Sequence, residues 1–479
     1  MQNGVVRVSQ SAIRNLPTPV RSRVDPADVV VPDGYTVEAL VVGLSFPTAL
    51  CFSDDGTLFF AEGGSTWPTR PYMPPRIWKM APGGLPELVA VEQLGGPRGL
   101  AWRDGKLYVS IKGGYYMRVA RHDLKTGDRE VVIDKVPSGG WHEPGGPLFG
   151  PHDGLMYFGQ GSVGLNGTVM PAGYTVDLAK HPHVHDVPGQ DVKLSGNNVW
   201  GRDPRTPYPY YVQTGPFRPF GTPARKGEVV KGQTFCNTCV MRARPDGRDP
   251  ELLAWGIRNP FGLAFSPEGE LYASDNDFEE KGDRAIAEDP DRIWHIRNAR
   301  QPHGSVGTPD WYGYPDLCAD GLPVWDDSHV PQRGAPPTPL LEEHPPWAGP
   351  AAYLFEPHTG LGKLDFCASD AFGHKGELFV CQFGTYAPLN SPRPEHLRRG
   401  FQVVRVDLKA KRHVPFMHNR HQGPASAAAG NGGLERPVDC RFSPDGKSLY
   451  VLDFGNNTAS DSYVVAYAHT GVLWRITKQ

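Results

Sequence analysis

Four segments of the chain place reactive or charged side chains where a ligand could meet them. The run GGWHEPGG carries His142 in a glycine-rich turn. An imidazole titrates near neutrality, so it can take the proton of a substrate hydroxyl; the plain alternative is a surface-loop histidine. The run AWGIRNPFG carries Arg258 and Asn259. A guanidinium offers a planar, permanently charged fork to carbonyls or carboxylates, and its alternative is an arginine paired with a nearby acid. The acidic run SDNDFEEKGDR holds Asp275, Asn276, Asp277, Glu279, Glu280 and Asp283. Oxygen-rich loops suit calcium, although this spacing is not that of an EF-hand and a solvated acidic loop reads the same way. Arg436 follows the glycine-rich AAAGNGG and offers a second cation for an anionic ligand, or a partner for Glu435 or Asp439.

Two further clusters carry metal or redox types. His181, His183 and His185 alternate in KHPHVHD, and on an extended strand all three would face one way, as zinc or copper requires; Pro182 and its surroundings favour a loop. Cys236 and Cys239 form a single CxxC, open to metal binding, redox cycling or a local disulfide. With no second CxxC a zinc ribbon is unsupported, and Val240 in place of histidine excludes the haem-attachment motif. Cys51, Cys367, Cys381 and Cys440 lie in apolar, strand-like segments and read as small buried hydrophobes.

Composition restricts what can position these groups. The chain has 479 residues, of which 57 are glycine and 49 proline, nearly twice the ordinary combined share of roughly 12%. No collagen period accompanies them, so they punctuate many short strands. Forty-nine basic against 52 acidic residues give a formal net charge of −3, without the basic footprint that nucleic acid demands. No apolar run approaches the roughly 18 residues of a membrane-spanning helix. The opening MQNGVVRVSQSAIRNLPTPV lacks the apolar core of a signal peptide. The chain as given therefore reads as cytoplasmic, or as exported only if a signal has been removed.

One pattern repeats: small or apolar residues, a turn ending in glycine, then a short apolar strand. The copies start at Phe46, Gly96, Gly145, Asn259, Lys363 and Arg436, with turn glycines at Gly56, Gly105, Gly154, Gly269, Gly376 and Gly446. Alternating apolar residues about such a turn form a half-buried antiparallel hairpin. A single four-stranded sheet cannot cover both its faces, whereas radial stacking covers them and leaves only short edges. The first two spacings, 49 residues each, match one blade, and the longer ones mark insertions, the largest at about 163–235. The fold expected is all-β, a single six-bladed β-propeller over 31–479 with a loose N-terminal arm at 1–30. The strand-like YTVEALVVGL from Tyr35 and the terminal GVLWRITKQ are expected to share one blade and close the ring.

In order along the chain these segments resemble the soluble glucose/sorbosone dehydrogenase family, six-bladed propellers that carry pyrroloquinoline quinone (PQQ) and calcium. The resemblance spans most of 31–478 as repeat order. It is sharpest at His142 ahead of Gly150, at VMRARPDG leading into GIRNPFGLAFSPEGELYASDND, and at WYGYPD from Trp311. It implies that His142 is the general base on a sugar hydroxyl and that Arg258, with calcium, polarises the quinone. It further implies that Asn259, Arg436 and Arg98 lie against the cofactor. Calcium would sit on the backbone carbonyls of Asp277 and Phe278, with Asp275 beside them. The implied partners are a small sugar substrate and a separate electron acceptor. The chain departs from the pattern at Trp141, where the glucose enzymes have an acid, and at Arg98, near a sugar-contacting glutamine. It also lacks the cofactor-binding lysine around Gln382, Phe383 and Gly384, and Val438 replaces a second arginine. Two other uses of the scaffold stay open at this point: a metal-dependent hydrolase or lactonase, and a non-catalytic binding propeller.

Overall fold

The computed structural model describes residues 23–64, 69–70, 73–140, 142–170, 178, 181–459 and 464–479. Six sheets of four or five strands follow one another along these residues, antiparallel except where Asp310–Trp311 adds in parallel to the outer edge of the third. Their innermost strands are Ala49–Phe52, Gly96–Arg103, Pro144–Phe149, Leu263–Phe265, Leu361–Phe366 and Pro437–Phe442. Each packs on the next, and the sixth packs on the first, so the sheets form a closed ring of blades. No α-helix occurs among the described residues, and only short 3₁₀ turns interrupt the strands. The all-β six-bladed propeller expected from the repeats is therefore the observed architecture.

All six repeat glycines lie in the hairpin between the first and second strand of a blade, each at positive φ, where a side chain would be strained. Strand alternation then builds the core. In Lys106–Gly113 of the second blade, Leu107 and Val109 face the first blade, while Tyr108 faces the third. Six apolar clusters arise in this way, one between each pair of neighbouring blades. Near the axis the inner strands approach so closely that only glycine fits. A Cβ on Gly99 would lie 1.5 Å from the Gly146 carbonyl oxygen of the next blade.

The ring closes within the sixth blade. Tyr35–Leu44 pairs with the C-terminal strand Gly471–Lys478, which pairs in turn with Ser448–Asp453. Upstream, Val29–Val30 adds to the outer edge of the fifth blade through Asn419 and His418; residues 1–22 of the expected arm lie outside the described residues. The segment between Met156–Gln160 and Cys239–Ala243 of the third blade carries two small ribbons, Val192–Lys193 with Val229–Val230 and Val199–Arg202 with Tyr211–Thr214. All seven cysteines are buried free thiols, and Cys239 Sγ donates to the Cys236 carbonyl at 3.1 Å. No helix among the described residues is long and apolar enough to cross a membrane.

Candidate active site

A cavity opens where the inner strands enter the ring. Its empty space, open mouth included, is about 930 Å³. Residues from all six blades meet there, among them Thr48, Arg98, His142, Asn259, Leu361 and Val438. On the fifth inner strand, Lys363 links three other blades: its Nζ donates to the carbonyls of Thr48 (2.7 Å) and Arg98 (2.5 Å) and lies 3.2 Å from Asp439 Oδ2. Burial pushes this amine down to about 8 despite the Asp439 carboxylate.

His142 stands immediately before the third inner strand. Its loop is anchored from below by Lys112, whose Nζ donates to the carbonyls of Gly140 (3.0 Å) and His142 (2.8 Å). The imidazole Nδ1 lies 3.1 Å from the Ser162 carbonyl and 2.7 Å from the Ser162 hydroxyl, which itself donates to the Gly164 carbonyl at 2.7 Å. A carbonyl can only accept, so Nδ1 carries the proton and Nε2 keeps its lone pair. Burial, reinforced by the Arg258 and Lys112 charges, holds the ring well below its ordinary value. His142 is therefore a neutral imidazole at physiological pH.

Arg258 and Asn259 share the same wall. The Arg258 guanidinium donates through Nε to the Leu165 carbonyl at 2.9 Å and through Nη1 to the Asp277 carbonyl. Its Nη2 is buried without a hydrogen-bond partner, 3.7 Å from Glu279 Oε1. Asn259 donates to Asn276 Oδ1 at 2.6 Å and accepts from the Glu143 N–H at 3.2 Å. Arg98 lines the cavity too, with Nε on Glu143 Oε2 at 2.6 Å. His142, Arg258, Asn259 and Arg98 are thus brought together.

Arg436 is not with them. Its Nη1 donates to the carbonyls of Phe383, Gly384 and Thr385, and the rings of Tyr386, Phe383 and Phe401 surround it at 4.5–5.1 Å. This buried cation supports the wall formed by Phe383 and Tyr386 from behind. It is not among the residues that face the cavity.

Asp275 also has a structural task. Its Oδ1 accepts from the Asn259 N–H at 2.6 Å, and its Oδ2 accepts from Arg292 (2.9 Å) and Trp294 (3.0 Å). The same device recurs around the ring. Glu62 accepts from the Ser45 N–H, and Asp453 accepts from the Arg436 N–H. In each of these blades an acid at the end of the second strand secures the turn that enters the first. The calcium position inferred from the resemblance is not supported by this geometry. The Asp277 carbonyl already faces the Arg258 guanidinium, and the Asp275 carboxylate is saturated by protein donors. Phe278 is a core residue, stacked on Tyr314, with its N–H on Asp289.

The histidine cluster does not converge either. His181 packs on the Tyr115 ring, and His185 Nδ1 lies 2.7 Å from the Asp186 carbonyl, while His183 adds no third arm. Among the described residues no group of three or more His, Cys, Asp or Glu side chains is disposed to hold a metal. Trp141 lies outside the described residues.

The most informative residue was not singled out by its sequence. His358 lines the cavity with its side chain fully buried, and its Nδ1 lies 2.5 Å from Asp277 Oδ2. The His358 N–H donates to the same oxygen at 3.0 Å. Burial opposes its charge, but Asp277 overrides burial and raises the imidazole to about 9. Nε2 is buried without a hydrogen-bond partner. The only sequence signal is position: His358 stands three residues before the fifth inner strand, as His142 stands two residues before the third.

A six-bladed propeller with a cavity at the strand entrances, lined by aromatic and aliphatic side chains together with a few charged ones, is thus the class that fold and site define. In structure the chain is similar to the holo form of the pyranose dehydrogenase PQQ domain from Coprinopsis cinerea. That match covers 94% of this chain and 97% of the other, at 14% identity and a TM-score of 0.55. It is likewise similar to a calcium structure of Trichoderma reesei carbohydrate-active enzymes family AA12, covering 96% and 99% at 14% identity and a TM-score of 0.55. At such identity the likeness is one of fold. No sequence-family model and no curated protein sequence matches the chain.

Proposed function

We propose that the chain is an oxidoreductase that oxidises an aldose, or a related aldehyde or hydroxyl compound, in this cavity, with PQQ as its cofactor. The observation that carries the reading is one of complementary parts. A neutral histidine with a free Nε2 lone pair shares the lining of one cavity with two basic side chains, Arg258 and His358, each with one buried nitrogen that makes no hydrogen bond. Buried polar groups are seldom left unpaired, and a ligand in the cavity is one partner that these could take up. Both side chains are cationic, and the cavity is also lined by the rings of Phe261, Phe383, Tyr386 and Phe454. A flat molecule bearing carboxylates and quinone oxygens suits this set of donors and rings.

The chain's own residues divide the work as follows. Nε2 of His142 takes the proton of the substrate hydroxyl as its carbon is oxidised. Ser162 fixes the ring in the tautomer that allows this. PQQ, when bound, supplies a two-electron acceptor for the hydride. Arg258 and His358 donate to oxygens that gain negative charge, an electrostatic assistance that is strongest where water is excluded. Asn259, secured by Asp275 and Asn276, holds Glu143 in register beside the base. A separate electron acceptor completes turnover.

Titration of the folded chain with PQQ, followed by absorbance, tests the reading. Saturable binding at micromolar cofactor, then dye reduction on adding an aldose, is the expected result. Folded protein that binds no PQQ contradicts it and directs attention to ester or lactone hydrolysis, or to a binding role.

A further inference from the structure

We propose that a second cleft, on the fifth blade, binds a small molecule bearing two or more oxyanion groups, whether phosphates or carboxylates. The proposal is independent of the cofactor reading above. The cleft is built by loops at the same end of the ring as the cavity. Arg398 and Arg399 lie between the second and third strands of the blade, Leu378–Gln382 and Gln402–Asp407, and Arg420 follows the fourth, Arg412–Asn419. Glu356 and Thr359 come from the segment entering the inner strand Leu361–Phe366. These residues line empty space of about 860 Å³, open mouth included. Thr359 lines the cleft while Gly360, next in the chain, lines the cavity, so one turn of backbone borders both.

Uncompensated charge carries the proposal. Three arginines line the cleft against a single carboxylate, that of Glu356. Arg420 Nε donates to the Ala27 carbonyl at 3.1 Å. Arg399 Nη1 donates to the Pro357 carbonyl at 3.1 Å, and its Nε lies 3.8 Å from Glu356, beyond hydrogen-bonding reach. The Arg398 side chain makes no hydrogen bond or ion pair among the described residues. Carbonyl partners hold a guanidinium in place and leave its charge unopposed. Arg398 and Arg420 are exposed and Arg399 is half-buried, so this charge is open to a dissolved ligand. His418 and His421 add polar lining, with His418 Nδ1 donating to the Asn419 carbonyl at 2.8 Å and His421 Nε2 to the Pro424 carbonyl at 2.9 Å. Neither needs to be charged for the cleft to attract an anion.

A second arginine-rich depression on the same molecule shows the ordinary alternative. Arg103, Arg121, Arg244 and Arg248 line it, and each has its own carboxylate: Asp104 at 3.0 Å, Glu130 at 2.5 Å, Asp249 at 2.6 Å and Asp246 at 2.7 Å. There the protein neutralises its own cations; in the fifth-blade cleft it does not. Three fixed positive charges facing one acid exceed what a single monoanion balances. A molecule with two or more oxyanion groups can meet two guanidiniums at once, each in the forked geometry that phosphate and carboxylate oxygens match.

The test is calorimetric titration of the full chain with pyrophosphate and, separately, with citrate, at one fixed ionic strength. Saturable binding of at least one is expected, and which one binds distinguishes a phosphate ligand from a carboxylate ligand. Arg398→Ala combined with Arg420→Ala should weaken that binding about tenfold or more, because charge-assisted hydrogen bonds to the anion are lost. Arg248→Ala removes the same charge from the neutralised depression and should leave the affinity unchanged. The Arg398 side chain holds no other group in place, so Arg398→Ala alone decides if the double variant does not fold. Failure of both anions to saturate the chain at millimolar concentration overturns the proposal. Binding that the double variant leaves intact, or that Arg248→Ala weakens equally, overturns it as well.

Discussion

His142 Nδ1 lies 2.7 Å from the Ser162 hydroxyl and 3.1 Å from the Ser162 carbonyl, and these contacts fix which imidazole nitrogen is left for chemistry. The same burial that locks the ring holds its pKa well below the usual value. The base form therefore persists to pH values well under 6.5. The limb of kcat/KM assigned to His142 should stay flat from pH 8 down past 6.5 and fall only in more acid solution. A limb centred at 6.5 or above contradicts the assignment. The same depression makes the unfolded chain the stronger proton binder below pH 6.5, so this residue lowers stability as pH falls through that value.

His358 gives the opposite sign. Its folded value, raised to about 9 by Asp277 against burial, lies above the unfolded value. Its contribution to stability is present in full below pH 6.5 and is lost as pH rises through about 9. Denaturation midpoints of the unaltered chain and of His358→Gln should differ most at pH 6 and converge above pH 9. A gap that does not change with pH excludes the ion pair with Asp277.

Lys363 and Asp439, on the fifth and sixth inner strands, lie 3.2 Å apart and both are buried. Removing one partner of such a pair leaves an uncompensated charge, at a cost of about 3–5 kcal/mol. Lys363→Met should lose stability on that scale in urea unfolding. Lys363→Met with Asp439→Asn, which keeps an acceptor for the Leu50 N–H, should recover part of it. A single substitution within about 0.5 kcal/mol of the parent, the range of surface changes, contradicts the assignment.

Much of the architecture is legible in the chain because it rests on local chemistry. The six turn glycines demand positive φ, and the alternation on either side of them sets which face is buried. Ring closure is legible as two strand patterns at the chain's ends. The site is legible only in part. His142, Arg258, Asn259 and Arg98 sit at strand entrances, and position in the repeat brings them to one mouth. Arg436 occupies the equivalent entrance in the sixth blade, yet its head turns to three carbonyls more than fifty residues away. Sequence shows its charge and not that destination. Asp275 reads as a metal ligand because it lies in an acidic run, whereas its counterparts Glu62 and Asp453 mark it as a turn-securing acid. His358 acquires its role through Asp277, 81 residues earlier, and through a left-handed φ that no local motif announces.

The most direct test of His142 as the base is turnover of an aldose by the PQQ-reconstituted chain, beside the His142→Ala variant under saturating cofactor. General-base catalysis contributes about 10²–10⁴-fold, so kcat should fall by at least ~100-fold with PQQ affinity little changed. A variant that retains cofactor and turns over within a few-fold of the parent contradicts the assignment.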